Sequence, residues 1–254
     1  MRLFASIRPP EEVREHLVTA LRPVRDDHGP LLRWTDPDQW HLTVAFYGER
    51  PDGSVDELAG HIAAAAATTE LPDALDLHLR GAGSFSGRTL WIGVGGDVAP
   101  LRDLMAACAH DPFADPDDPG VSDGSAARER RRAHLTVARL RAREQGGRRD
   151  GRRAHRRSAW AGDRRRGRSR EGGYGSGGYG RDGGHGRDLA RPARHDGADV
   201  LRDVVHALSV YSGPSWSATE IELVSSRLGE GRSGGALHDT VATIPLHPST
   251  GADH

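Results

Sequence analysis

Two copies of one five-residue phrase carry the side chains best suited to chemistry: His41-Leu42-Thr43-Val44-Ala45 and His134-Leu135-Thr136-Val137-Ala138. An imidazole titrates near neutral pH, so it can serve as acid or as base there. Two of them at one reactive centre can divide those roles, one protonated and one neutral, which suits in-line displacement at phosphorus. One takes a proton from the attacking oxygen and the other gives a proton to the leaving oxygen. The two threonine hydroxyls can donate to non-bridging oxygens and stabilise their developing charge. Nothing in this chemistry calls for a metal.

Such a site needs each His and Thr to project from one side of its element. Both phrases lie in β-reading runs, Trp40 to Tyr47 and Ala133 to Leu140. Side chains alternate along a strand, so His and Thr point one way while Leu and Val point the other. The bare pattern is cheap, because His238-Asp239-Thr240-Val241 matches it too. That third match is read as a half-buried strand. The first two are set apart by their shared identity, their strand context and their place after similar strand–helix units.

Those units can be followed along the chain. Arg2 to Ile7 reads as a strand stopped by Pro9 and Pro10, and Glu11 and Glu12 favour the positive end of the helix that follows. Val13, Leu17, Leu21 and Val24 recur at helical spacing. Leu31 to Thr35 reads as extended. Ser54 with Glu57 suggests a capping box opening a helix through Ala67. Leu75 to Leu79 alternates until Gly81 and Gly83 break it, Thr89 to Val94 is a strand, and Ala99 to Ala109 a helix. Asp111 to Gly124 is rich in Asp, Pro and Gly and reads as loop. Regular pattern returns with a helix from Asp199 to Leu208 and strands at Ala218 to Ser225 and Leu237 to Leu246.

Composition bounds the remaining choices. The chain has 254 residues, 36% hydrophobic, with 33 Gly, which is less core material than its length suggests. Every basic side chain other than His is Arg, and the formal net charge of −1 argues against a uniformly basic nucleic-acid binder. The average hides residues 144–196, dominated by Arg and Gly, which read as a disordered insertion because they offer too little apolar surface to offset ordering. The lone Cys108 excludes an intramolecular disulfide and a multi-cysteine zinc site. His110, His155, His185, His195, His206 and His247 show no ligand spacing. The opening residues lack a signal-peptide pattern and no apolar run could span a bilayer, so a soluble, cytoplasmic chain is expected.

The two HLTVA copies resemble the HxTx motifs of the 2H phosphoesterases, and most of all the RNA 2′,3′-cyclic phosphodiesterase branch, also described as bacterial 2′-5′ RNA ligases. The flanks resemble that family in order: MRLFASIRPP, RWTDPDQWHLTVAFYGE, GAGSFSGRTLWIGVGG, HLTVARL and YSGPSWSATEIELVSSRLGEG. The resemblance implies an α+β, bilobal fold of two antiparallel sheets with helices outside and a central cleft. With the Arg/Gly-rich insertion at 144–196, which is not a feature of the family, and a tail at 249–254 that reads as frayed both set aside, one catalytic domain is expected from residues 1–143 and 197–248. The resemblance further implies hydrolysis of RNA 2′,3′-cyclic phosphate ends to 2′-phosphomonoesters by a monomer, without cofactor, metal or membrane.

In these terms His41 is the proton donor, His134 the proton acceptor, and Thr43 and Thr136 the phosphate-binding hydroxyls. Arg139 matches an arginine frequent in the family, although strand alternation sets it on the face opposite His134 and Thr136. Phe46 could stack on a base at the cleft. The family often has an aromatic residue and a proline before its second motif, where this chain has Arg131-Arg132-Ala133. Ligation of 2′-5′ linkages would use the same residues. The competing reading is an RNA-binding protein with a catalytically passive core and an Arg/Gly-rich tether.

Overall fold

Alternation along the strands decides which side of the sheet each residue meets. In the computed structural model, which describes residues 1–110, 112–113, 132–141, 197–231 and 235–247, Leu3, Ala5 and Ile7 of the first strand turn into the core. The described residues fall in one compact unit, Met1–Arg141 with His195–His254. The readings for residues 114–131, for the 144–196 insertion, for His155, His185 and His195, and for the 249–254 tail fall outside the described residues.

The strands are β1 (Arg2–Ile7), β2 (Leu32–Trp34), β3 (Leu42–Glu49), β4 (Leu75–Phe85), β5 (Thr89–Gly96), β6 (His134–Leu140), β7 (Ser212–Ala218), β8 (Glu220–Leu228) and β9 (Ala236–Pro245). The helices are α1 (Glu11–His28), α2 (Val55–Thr68), α3 (Val98–Cys108) and α4 (Gly197–Ala207). All ladders are antiparallel, in the order β7-β4-β5-β6-β3-β1-β8-β9, with β2 also on β6. The two halves of this curled sheet meet through a single residue pair, Leu42 opposite Leu135. That seam divides the α+β fold into its two lobes, and the two motif strands lie on either side of it.

One face of the sheet is dry. Val13, Leu17, Leu21 and Val24 of α1 form the expected stripe, joined by Leu58 and Ile62 of α2, Leu101 and Leu104 of α3, and Leu201 and Val204 of α4. They cover Leu42 and Val44 of β3, Leu135 and Val137 of β6, and the alternating leucines of β4. Burial of this apolar surface is the main term holding the sheet curled. The opposite face, carrying Phe4, His41, Thr43, His134 and Thr136, is left to line a cleft.

Several local readings give way to tertiary structure. The β4 strand does not stop at Leu79 but runs to Phe85. Gly81, at φ +56°, supplies a bulge between Arg80 and Ala82, and the ladder to β5 resumes beyond it. Ser54 precedes α2 but makes no side-chain cap bond, because it sits in a 3₁₀ turn, Asp52–Ser54, with helical rather than extended dihedrals. The run Ser212–Ala218 is an edge strand on β4, a place where Pro214 is tolerated.

Gly83 has a packing role that reaches the site. A Cβ at this position would fall inside the Trp91 ring, which is itself held between Phe85 (5.3 Å between centroids) and the Arg132 guanidinium (4.8 Å). Moving the ring aside would disturb both contacts. Gly83→Ala is therefore expected to destabilise the fold by about 1–3 kcal/mol, as overpacking does. A lowered urea midpoint at unchanged denaturant slope is the check.

Candidate active site

The seam pair Leu42–Leu135 projects into the core, so their chain neighbours project into the cleft. One residue to either side of that pair lie His41 and Thr43 on one strand run and His134 and Thr136 on the other. All four line one cavity of about 530 Å³. Phe46 and Arg139 line it too.

Both imidazoles are held by the same device. His41 Nδ1 lies 2.8 Å from the Gln39 carbonyl oxygen, and His134 Nδ1 lies 2.7 Å from that of Arg132, each two residues upstream. A carbonyl oxygen can only accept, so in both rings Nδ1 carries a proton and donates it. In the neutral ring Nε2 is then the free lone pair. Neither Nε2 is buried without a partner, and each opens onto the cavity. An aromatic ring backs each one: Phe4 lies 4.8 Å from His41 and Phe85 lies 4.8 Å from His134, between centroids.

Arg139 sits on the cleft side because of a β-bulge. On β6, Thr136 pairs with Trp91 and Ala138 with Leu90, so Val137 is the extra residue. An extra residue reverses the alternation beyond it. Simple parity therefore misplaces Arg139. The β3 strand does the same at the equivalent residue: Thr43 pairs with Ser6 and Ala45 with Ala5, leaving Val44 extra. Phe46 is thereby turned to the cleft, 55% exposed, beneath the Arg2 guanidinium at 4.7 Å.

The histidines are poised differently from a solvated imidazole. Burial is the largest influence on His41 and, with the charges of His238, Arg8 and His134, outweighs the Gln39 carbonyl, bringing its pKa down to about 4. Burial also lowers that of His134, aided by the Arg132 charge and opposed by the Arg132 carbonyl. Arg8 is fixed near His41 by an ion pair to Glu222 at 3.1 Å and a bond to the Asp38 carbonyl at 2.9 Å.

The residue missed in the sequence is His238. It lines the same cavity, with its ring 5.0 Å from that of His41. Its HxTx pattern was the available signal, and only the stacking of β9 on β8 and β8 on β1 brings it here. A larger hollow, about 1070 Å³, lies beyond Trp91 and is lined by Arg80, Arg102 and Arg132. It holds no imidazole and neither motif. Among the described residues no group of three or more His, Cys, Asp or Glu is placed to hold a metal ion, and no helix is long and apolar enough to cross a membrane.

Residues 7–93 match the family described as LigT like Phosphoesterase. A protein of Thermus thermophilus named RNA 2′,3′-cyclic phosphodiesterase is 40% identical over 87 residues, which is 34% of this chain and 40% of that relative. The chain thus spans about two fifths of the length of the curated relative it matches. The fold is similar to that of E. coli LigT crystallised with 3′-AMP, at 18% identity and TM-score 0.50, covering 98% of both chains. It is also similar to a crystal structure described as a phosphoesterase, at 17% identity and TM-score 0.51, covering 98% of this chain and 99% of that one.

Proposed function

We propose that the chain, whose residues 7–93 match the LigT like Phosphoesterase family, hydrolyses RNA 2′,3′-cyclic phosphate ends to 2′-phosphomonoesters as a 2H phosphoesterase. The observation that carries this reading is the matched pair of imidazoles. Each donates Nδ1–H to the carbonyl two residues upstream and offers Nε2 to one cavity that also holds both threonines.

In this mechanism water attacks phosphorus and loses its proton to His134 Nε2. The bond from phosphorus to the 3′ oxygen breaks, and that oxygen takes a proton from His41 Nε2. Thr43 and Thr136 donate to the non-bridging oxygens, while Arg139 adds positive charge on the β6 side. Phe46, exposed at the rim, offers a face for a base. Since His41 is neutral in the empty site at neutral pH, its proton arrives as the anionic phosphodiester enters and favours the imidazolium. Ligation of 2′-5′ linkages would use the same groups. The working unit in this reading is a monomeric, cytoplasmic domain built from residues 1–143 and 197–248.

The test is incubation with a 2′,3′-cyclic mononucleotide in the presence of EDTA. The expected product is the 2′-phosphomonoester, formed equally fast with and without the chelator. Absence of turnover together with retained RNA binding would instead favour a passive RNA-binding core, and turnover abolished by EDTA would remove the two-histidine mechanism.

A further inference from the structure

His238 is held in place more firmly than an incidental strand residue. Its backbone N–H donates to Gln39 Oε1 at 2.8 Å, and Gln39 is the residue whose carbonyl fixes His41. Its ring stands edge-on to His41 at 5.0 Å and to Phe4 at 5.1 Å. The same short segment of chain therefore sets both rings against one aromatic floor.

The two nitrogens of His238 have different surroundings. Nδ1 is buried without a hydrogen-bond partner, whereas Nε2 is not and opens to the cavity. A proton on Nδ1 would be a buried donor with nothing to accept it, which is costlier than a buried lone pair. The neutral ring therefore keeps its proton on Nε2. That is the reverse of His41 and His134, which carry theirs on Nδ1. The site thus combines two imidazoles that present lone pairs with one that presents an N–H. Burial and the Arg8 cation hold His238 neutral, against the opposing pull of Asp239.

We propose that His238 is a further substrate-binding residue, donating its Nε2–H to a non-bridging phosphoryl oxygen on the His41 side of the cavity. This assignment rests on the phosphodiesterase reading and adds to it a donor that takes no part in proton transfer. Three variants separate the donor from the ring. His238→Phe keeps an aromatic ring against Phe4 and His41 without the N–H. His238→Gln places an amide N–H near the position of Nε2, and His238→Asn places one near Nδ1.

The experiment measures inorganic phosphate affinity in the full chain by NMR, with circular dichroism to confirm folding. His238→Phe and His238→Asn are expected to weaken phosphate binding about tenfold, as loss of a hydrogen bond to a charged group does, while His238→Gln stays within about threefold of the unaltered chain. Phosphate affinity unchanged in His238→Phe, or rescue by Asn as good as by Gln, would overturn the proposal. So would failure of the unaltered chain to bind phosphate. Long-range nitrogen–proton correlation in the unaltered chain supplies a test that needs no variant. An Nε2–H tautomer for His238 beside Nδ1–H tautomers for His41 and His134 is expected, and Nδ1–H at His238 would overturn it. If the unaltered chain binds phosphate but turns over no cyclic nucleotide, the hydrolase reading fails while these readouts still decide the role of His238.

Discussion

His41→Ala and His134→Ala are each expected to lower kcat for a 2′,3′-cyclic mononucleotide by roughly 10²–10⁴-fold, the range supplied by one positioned acid or base. The double variant should lose little more than the worse single one, because the two groups act as a unit. Circular dichroism should be unchanged, since neither ring belongs to the apolar core beneath the sheet. The two roles can be told apart by leaving group. A p-nitrophenyl phosphodiester departs without needing a proton, so it should restore much of the rate to the variant that lacks the acid. Restoration in His41→Ala alone supports His41 as donor and His134 as acceptor. Restoration in His134→Ala alone reverses the assignment, and equal loss in neither variant removes both histidines from the chemistry.

Acidity is expected to control the reaction almost as strongly. In the proposed mechanism productive encounter needs His41 protonated and His134 neutral, and kcat/KM reports these states in the free protein. His41 has a pKa of about 4, so its protonated fraction falls about tenfold for each pH unit above that range. His134, also lowered, is already neutral near pH 7 and imposes no opposing limb there. From about pH 7 to about pH 8, kcat/KM should therefore fall about tenfold. The kcat profile reports the bound state, where the phosphodiester charge favours the His41 imidazolium, so its falling limb should lie at higher pH. A kcat/KM that is flat across this interval would show that the proton on His41 is not the essential one.

The asymmetry between the two histidines has a structural source. Burial is the largest cause of the lowering in both rings, and to it His41 adds His238 and Arg8 as neighbours, whereas His134 adds Arg132, which is stacked over Trp91. In the proposed mechanism an anionic substrate opposes this lowering, because its charge beside the ring favours the imidazolium. Substrate entry and acid formation are coupled in this way.

The residues alone determined that His and Thr of each HLTVA copy share a face, because alternation is a local property of an extended chain. They determined equally the apolar stripe of α1, since Val13, Leu17, Leu21 and Val24 recur at the spacing of one helix face whatever covers it. The same local periodicity could not place Arg139 or Phe46. Both are turned to the cleft by bulges at Val137 and Val44, and a bulge is a mismatch in register with a partner strand, β5 in one case and β1 in the other. It could not foresee that β4 passes through Gly81, whose positive φ makes the bulge, and Gly83, where the Trp91 ring occupies the space a side chain would need. Least of all could it raise His238 above a chance match, since nearly two hundred residues separate it from His41. Only the side-by-side pairing of β9, β8 and β1 sets one ring edge-on to the other. Face and periodicity are written in neighbouring residues, whereas proximity, burial and the proton positions that follow from them belong to strands distant in sequence.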